Sequence, residues 1–167
     1  MLFHVSEEGG IELFKPRLSE AWGPVVWAID AQRLHNYLLP RECPRVTFYA
    51  GPSSSPSDVT RLLGSSKAVV AIEQDWLARV RSCRLHCYEM REQTFVCVDR
   101  CAGYFVSRDP VVPRRVDVVR DAEAALRERG VELRVLPNLW PLRDEVVAST
   151  LLYSMIRMRN AALARDA

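Results

Sequence analysis

The stretch that decides the fold lies in the middle of the chain, where residues 85–119 read LHCYEMREQTFVCVDRCAGYFVSRDPVVPRRVDVV. Short runs rich in β-branched and aromatic residues alternate there with turn-forming residues. The runs cover residues 85–89, 95–98, 104–107 and 116–119. A cluster of short strands of this kind predicts a mixed or antiparallel sheet.

The flanks of this cluster mix strands with helices. Further strand candidates are residues 2–5, 25–29, 46–49, 68–72 and 132–136. Short helices are predicted at residues 30–38, 57–63, 74–82 and 121–129. A long C-terminal helix is predicted from residue 142 to about residue 163, because apolar side chains recur there at helical spacing. These side chains are Val146, Val147, Leu151, Met155 and Met158.

This order of elements predicts an α/β fold of the α+β type. We expect one curved mixed or antiparallel sheet with flanking helices, formed by residues 1–167 as a single globular domain. The hydrophobic content of 49% and the charged content of 26% are typical of a globular protein that is soluble.

The net charge and the absence of a targeting segment limit the kinds of partner that we expect. The net charge of +2 is too small to indicate a nucleic-acid or membrane partner by itself. The first residues contain no basic segment followed by a long apolar stretch. We therefore expect a cytoplasmic protein with a small-molecule ligand, and neither nucleic acid nor membrane as a partner.

The cysteines are odd in number, which together with the absence of an export signal favours reduced thiols. They are Cys43, Cys83, Cys87, Cys97 and Cys101. Four of them form two C-x3-C pairs, but the turn chemistry of a structural zinc site is absent, so we expect no bound metal.

The chain also has no P-loop, G-x-G-x-x-G, G-x-S-x-G or H-E-x-x-H motif, so four common enzyme classes lack motif support.

Several blocks of the sequence carry a resemblance to known families. These blocks are LFHVS at residues 2–6, VWAID at 26–30, PRVTFY at 44–49, AGYFVS at 102–107 and RMRNA at 157–161. Together they resemble a bacterial domain family with no assigned activity, which implies a shared fold and no particular reaction.

A second resemblance is to the ADP-ribosyltransferase-like superfamily. Its domains open with a strand that ends in His-x-Thr or His-x-Ser, and a later strand supplies an aromatic residue. This resemblance implies that His4 and Ser6 hold the ribose of NAD and that Trp27 flanks the nicotinamide, with NAD as a substrate rather than a bound cofactor. The sequence departs from that superfamily at Val5, where glycine is usual, and it has no Glu-x-Glu or Gln-x-Glu motif on a late strand.

His4 and Ser6 are two residues apart on a predicted strand, so both point to the same face. An imidazole and a hydroxyl could converge there on one ligand. The structural alternative is that His4 hydrogen-bonds to backbone in the core while Ser6 caps the following turn.

Aromatic and arginine side chains are the other candidates for ligand binding. Trp27 and Tyr49 would offer flat faces to a ring, with ordinary core packing as the alternative. Arg17 and Arg45, together with Arg41, would match phosphates or carboxylates, with surface ion pairs as the alternative.

The candidate catalytic residues are Glu73, at the end of an apolar strand, and Glu89, within another. A carboxylate in such a place can act as a base or stabilise an oxocarbenium-like sugar, whereas a helix cap or a surface charge is the structural alternative. Near the C-terminus, Arg157, Arg159 and Asn160 either bind an anion or fasten the chain end to the body.

Two functions follow from these candidates. The first is a nucleotide or NAD-like ligand pocket that acts at an N-glycosidic bond, as a transferase or a glycohydrolase. The second is a non-catalytic module that binds a metabolite or a protein segment.

Overall fold

The computed structural model describes residues 1–163. Its strands are β1 (Leu2–Ser6), β2 (Arg17–Ser19), β3 (Gly23–Asp30), β4 (Arg45–Tyr49), β5 (Ala68–Glu73), β6 (Leu85–Met90), β7 (Val96–Asp99), β8 (Tyr104–Ser107), β9 (Arg115–Val119), β10 (Val131–Leu136) and β11 (Leu152–Ile156). Its α-helices are α1 (Pro56–Asp58), α2 (Leu77–Ser82), α3 (Ala122–Glu128) and α4 (Trp140–Ala148). A π-helical turn covers Val59–Leu63, and 3-10 turns cover Leu34–Tyr37, Gln74–Trp76, Glu92–Thr94 and Met158–Asn160.

The predicted strands are present, each within two residues of its expected bounds. The helix expected at residues 121–129 is also present, and Asp121 caps it by accepting the Ala124 N–H at 2.8 Å. The helix expected at residues 30–38 is reduced to the 3-10 turn Leu34–Tyr37. Helix-capping residues and apolar strand patterns in the sequence were therefore sufficient to predict most of the secondary-structure elements.

The chain forms two compact units. Unit 1 consists of Met1–Leu38 and Arg84–Arg120, and unit 2 consists of Leu39–Cys83 and the described residues from Asp121 onward. Each unit has its own sheet, so the expectation of one sheet was wrong. Apolar runs identify strands, but they do not say which strand pairs with which, and the sequence therefore could not separate the two sheets. The assignment of residues 1–167 to a single domain stays a prediction, and its last four residues lie outside those described.

Unit 1 is built on an antiparallel sheet. Its strand order is β7-β8-β3-β1-β6-β9, and β2 pairs with β3. On one face of this sheet Leu2, Ala28 and Tyr88 pack with Phe14 and Val111 in a buried apolar cluster. Phe14 and Val111 reach this face from outside the strands and are bound to each other by two backbone hydrogen bonds of 2.9 Å.

Unit 2 is built on a four-stranded mixed sheet. Its strand order is β10-β5-β4-β11, and only the β10–β5 pair is parallel. Every residue of β4 and β5 is buried, as expected for strands covered on both faces. The core on one face joins the sheet to the π-helical turn and α4. It contains Val46, Phe48, Leu62, Leu63, Val69, Ala71, Leu139, Leu142, Val146 and Leu151.

The predicted long C-terminal helix was wrong, because α4 ends at Ala148 and the chain continues as β11. The Asp58 carboxylate accepts hydrogen bonds from the Thr150 N–H at 2.8 Å and the Thr150 hydroxyl at 2.7 Å. These bonds hold residue 150 outside the helix, and the following residues pair with β4. Helical spacing is a weak predictor when a strand partner is available elsewhere in the chain.

The apolar residues that suggested this helix do reach the core of unit 2, with one exception. Val146 and Leu151 are buried in it, and Met155 packs against it. Val147 is 43% exposed. The sequence thus assigned Val146 to a helix correctly, but it extended that helix over Leu151, Met155 and Met158, which lie beyond the end of α4.

Candidate functional site

Three aromatic side chains of unit 1, Trp27, Tyr37 and Tyr104, form a group that we call the aromatic cluster. Trp27 on β3 lies opposite Val106 of β8, and Tyr104 lies opposite Ile29, so the two rings project from the same face. Their centroids are 5.8 Å apart in an edge-to-face arrangement. The Tyr37 hydroxyl donates a hydrogen bond of 2.9 Å to the Tyr104 hydroxyl. All three side chains are half-buried, so each keeps part of its surface toward solvent.

A tight turn contact fixes two polar residues, Asp30 and Arg33, at the end of β3, in the chain between Trp27 and Tyr37. The Asp30 side chain starts from the sheet face opposite to that of the Trp27 ring. The Asp30 carboxylate accepts the Arg33 N–H at 2.8 Å, and Arg33 Nε donates to the Cys101 carbonyl at 3.1 Å. Gly103 permits this approach, since its φ is +70° and an added Cβ would lie 2.7 Å from Asp30 Oδ1. One carboxylate and one guanidinium are thereby fixed next to the start of the 3-10 turn that carries Tyr37.

His4 and Ser6 do not share a face with the Trp27 ring. Phe3 of β1 lies opposite Ile29, which places Trp27 with Phe3 on one face and His4 with Ser6 on the other. His4 Nδ1 donates a hydrogen bond of 2.8 Å to the Trp27 carbonyl, so this nitrogen must carry the proton. The Ser6 hydroxyl accepts the Glu8 N–H at 3.0 Å. Both contacts are those of the structural alternative for these residues.

The remaining residues predicted to bind ligand are divided between the units. In unit 1, Arg17 is exposed on β2. In unit 2, Tyr49 is buried on β4, and Arg45 is buried on the same strand. The Arg45 guanidinium donates to the Pro40 carbonyl at 3.0 Å. Arg17 lies opposite Val25, so it starts from the same face of the unit 1 sheet as Trp27, whereas Arg45 and Tyr49 belong to unit 2.

Glu89 is a buried carboxylate on the same sheet face as Phe3, Ile29 and Trp27. Arg114 Nη1 and Arg115 Nε each lie 3.2 Å from one of its two oxygens. Both carboxylate oxygens of Glu89 are therefore engaged by guanidinium groups.

Glu73 is buried at the end of β5 in unit 2, and backbone donors bind both of its oxygens. Oε1 accepts the Leu139 N–H at 3.2 Å, and Oε2 accepts the Ala162 N–H at 2.9 Å. Leu139 immediately precedes α4, so the negative charge lies at the positive end of that helix dipole. These contacts are those of a structural clamp.

The C-terminal residues of the predicted anion site surround another carboxylate of unit 2, that of Glu42. Asn160 Nδ2 donates to the Glu42 carbonyl at 2.7 Å and to its carboxylate at 3.1 Å. Arg157 and Arg159 lie 3.4 Å and 3.5 Å from the same carboxylate. The Asn160 hydrogen bond, followed by the two arginine charges, lowers the pKa of Glu42. This set of contacts fastens the C-terminal segment to the loop before β4.

The described residues contain no group of histidine, cysteine, aspartate or glutamate side chains that could hold a metal ion. Within the same residues, no helix is long and apolar enough to cross a membrane. The thiols of Cys43, Cys83 and Cys87 are buried, that of Cys97 is half-buried, and that of Cys101 is exposed.

Cys43 makes the stability of the protein depend on pH in the alkaline range. Burial raises the pKa of its thiol from 9.0 to about 12. Above pH 9.0 the unfolded thiol loses its proton while the folded one keeps it, so the free energy of unfolding falls as pH rises. We expect Cys43 to account for a loss of about 1 kcal/mol between about pH 8 and about pH 10.

The measurement is urea unfolding of the native protein and the Cys43→Ala variant at both pH values. Truncating the Cys43 side chain lowers the free energy of unfolding equally at both pH values. This effect therefore cancels when the change in unfolding free energy between the two pH values is compared for the two proteins. The variant should lose about 1 kcal/mol less than the native protein over this range. If the free energy of unfolding depended on pH identically in the two proteins, the Cys43 thiol would ionise as readily in the folded state as in the unfolded state.

Two of the three aromatic residues in the cluster were not singled out from the sequence. Tyr104 stands in the block AGYFVS, and Tyr37 stands in the segment after Asp30 that was expected to be helical. The β3–β8 pairing brings Tyr104 to Trp27, and Tyr37 contacts Tyr104 in turn. No local pattern in the sequence reveals either contact. The signal that could have found Tyr104 is its place on a predicted strand that carries a glycine just before it.

Comparison with known proteins gives one match. Residues 3–161 match the model of a family described as "Family of unknown function (DUF6886)". The chain belongs to this family. No curated protein and no solved structure matches it, and the resemblance to the ADP-ribosyltransferase-like superfamily gains no support. The side chains of this DUF6886 domain therefore provide the evidence on its function.

Proposed function

We propose that this DUF6886 protein binds a small molecule with a planar ring, nucleotide-like in character, at the aromatic cluster of unit 1, and that it does so without catalysis. The observation that carries the proposal is the grouping of Trp27, Tyr37 and Tyr104, all partly accessible, on one sheet face and the adjoining turn. Ring ligands are commonly held between aromatic faces and a few fixed polar groups.

Polar groups lie within the aromatic cluster and in the chain between Trp27 and Tyr37. The phenol hydroxyls of Tyr37 and Tyr104 can accept or donate hydrogen bonds at the edge of a ring. Asp30 and Arg33 are held in place by the Gly103 contact, and their chemistry suits sugar hydroxyls and phosphate respectively. This combination favours a nucleoside or nucleotide over a purely apolar ligand, and NAD is one compound of that class.

The contacts of the two candidate catalytic carboxylates favour binding over catalysis. Glu73 has both oxygens engaged by backbone N–H groups, and Glu89 is engaged by two arginines. A carboxylate that must take a proton or stabilise a cation needs a free oxygen or an unneutralised charge. Cleavage of an N-glycosidic bond remains the alternative function, and Glu89 is its better candidate because it shares the sheet face of Trp27.

The test is a titration of the protein with adenosine, AMP, ADP-ribose and NAD, followed by thermal shift and calorimetry. A ligand that binds only the folded state raises the melting temperature. Replacing Trp27 with alanine should weaken binding by about 10- to 100-fold, because stacking on one aromatic side chain contributes about 1–3 kcal/mol.

The matched control is Trp22→Ala, which removes an indole that is 38% exposed just before β3 and outside the aromatic cluster. This variant should bind as the native protein does. Equal losses in the two variants, or no stabilisation by any of the four compounds, would contradict the proposal. Release of nicotinamide from NAD, abolished by Glu89→Gln, would favour the catalytic alternative instead.

A further inference from the structure

The β9 edge of the unit 1 sheet has no strand beside it among the described residues. β9 pairs with β6 through five regular residue pairs, and the strand order ends there. At the opposite end of the order, β7 carries an irregularity between Cys97 and Asp99 that breaks its register. Bulges of that kind protect a sheet edge from further pairing, and β9 lacks this protection.

Both faces of β9 are open to solvent, and one of them is apolar. Val116 and Val118 are 44% and 42% exposed on one face, next to Val112 at 51%. A shallow concavity of about 340 Å³ on this side is lined in part by Val112, Val116 and the Tyr88 ring. Exposed β-branched residues on a regular edge strand are the features of a surface that pairs with another strand.

Arg115 and Asp117 occupy the other face of β9. They are 64% and 57% exposed, and Arg115 Nη2 lies 3.0 Å from Asp117 Oδ2. Opposite charges two positions apart have a consequence for pairing between two copies of the strand. In an antiparallel pair centred on Val116, Arg115 of each copy lies opposite Asp117 of the other.

We propose that β9 pairs antiparallel with β9 of a second copy of this chain, centred on Val116, to form a symmetric dimer. The inference is independent of the proposed function. A two-fold axis perpendicular to the sheet keeps each face on its own side, so only residues of the same face can lie opposite one another. The valine faces then become continuous, and Val116 is covered by its symmetry mate.

The charges select this register over its neighbours. Moving the centre by one residue to Asp117 places the two Asp117 carboxylates opposite each other, and moving it to Arg115 does the same for the two arginines. Like charges directly opposite are destabilising, whereas opposite charges contribute favourably. The register centred on Val116 is therefore the one of the three that brings two ion pairs together.

The first experiment measures the mass of the native protein and its charge variants by light scattering and sedimentation equilibrium. The native protein should be a dimer that dissociates on dilution. Asp117→Arg should weaken the dimer at least tenfold, because it makes both residues of each edge basic. Arg115→Asp should do so as well, because it makes them acidic.

The decisive experiment mixes these two variants. A basic edge and an acidic edge are complementary in the register centred on Val116, so D117R and R115D should form a heterodimer although neither forms a homodimer. Arg115 also contacts Glu89 at 3.2 Å, so the fold of R115D is checked by circular dichroism and thermal melting. D117R leaves that contact in place and tests the proposal even if R115D is unstable.

The control is Glu20→Arg, which makes the same change of charge at an exposed position outside β9. It should dimerise as the native protein does. A native protein that is monomeric at its highest soluble concentration, a D117R variant that dimerises normally, or folded variants that do not combine on mixing would each overturn the inference.

Discussion

Replacing Glu73 with alanine should lower the free energy of unfolding by about 3 kcal/mol. The change leaves the Leu139 and Ala162 N–H groups without their acceptor, and the Glu73 side chain they contact is 4% exposed. The Leu139 N–H is buried, and a buried donor that loses a charged partner costs about 1–3 kcal/mol. The Ala162 N–H belongs to an exposed residue and adds less, and the loss of negative charge at the start of α4 adds a further part. Urea unfolding followed by circular dichroism measures the change.

Glu73→Gln and Asp144→Ala separate this explanation from others. The glutamine keeps one acceptor oxygen and should lose about half as much stability. Asp144, on the same helix, is 67% exposed, and its removal should change stability by no more than about 0.5 kcal/mol. If Glu73→Ala were as stable as Asp144→Ala, the hydrogen bonds of Glu73 would contribute nothing measurable to stability. Glu73 would then again be a candidate catalytic residue.

Replacing Gly103 with alanine should lower the free energy of unfolding by about 3 kcal/mol and reduce ligand binding at the aromatic cluster. The φ of +70° costs an alanine about 1–2 kcal/mol, and the new Cβ would lie 2.7 Å from Asp30 Oδ1 and 2.8 Å from Arg33 Cγ. Asp30 cannot move aside freely, because its carboxylate accepts the Arg33 N–H. Relief of the overlap must therefore displace Asp30 and Arg33 or the start of β8, which carries Tyr104 of the aromatic cluster.

Gly10→Ala is the matched control for this variant. Gly10 has a φ of +73° and open space around its Cβ position, so it carries the conformational cost alone. We expect it to lose about 1 kcal/mol and to bind ligand normally. The difference between the two variants isolates the steric contact, and equal stability of both would mean that the turn at Gly103 adapts without disturbing Asp30 or Arg33.

Much of the secondary structure follows from local signals in the sequence. The buried strand β5 is a continuous apolar run, and α3 has both a capping aspartate and a terminating glycine. The C-terminal segment could not be predicted in this way, because its residues satisfy a helical pattern and a strand pattern at once. The choice is made by Asp58 and by the pairing with β4, both distant in sequence.

The candidate site depends even more on contacts between residues that are distant in sequence, so less of it could be predicted. Trp27 was identified from its own strand, but Tyr104 reaches it through the β3–β8 pairing, and Tyr37 joins the cluster through its contact with Tyr104. His4 and Trp27 were expected together because both fitted a resemblance, whereas the β1–β3 register places their side chains on opposite faces. A period of two assigns residues to faces within one strand, and only the register relates the faces of two strands.

The way in which the two units interrupt each other in sequence has a consequence for biosynthesis. The N-terminal strand β1 emerges from the ribosome long before its partner β6, and β5 has to wait in the same way for β10. Unit 1 has all its strands once Val119 has been made, whereas unit 2 still lacks β10 and β11 at that point. Open strand edges of an unfinished sheet are prone to aggregate. The fully buried, apolar β5 can pair early with β4, but its other edge stays open until β10 has been made, so we expect a chaperone to act on this segment of the nascent chain.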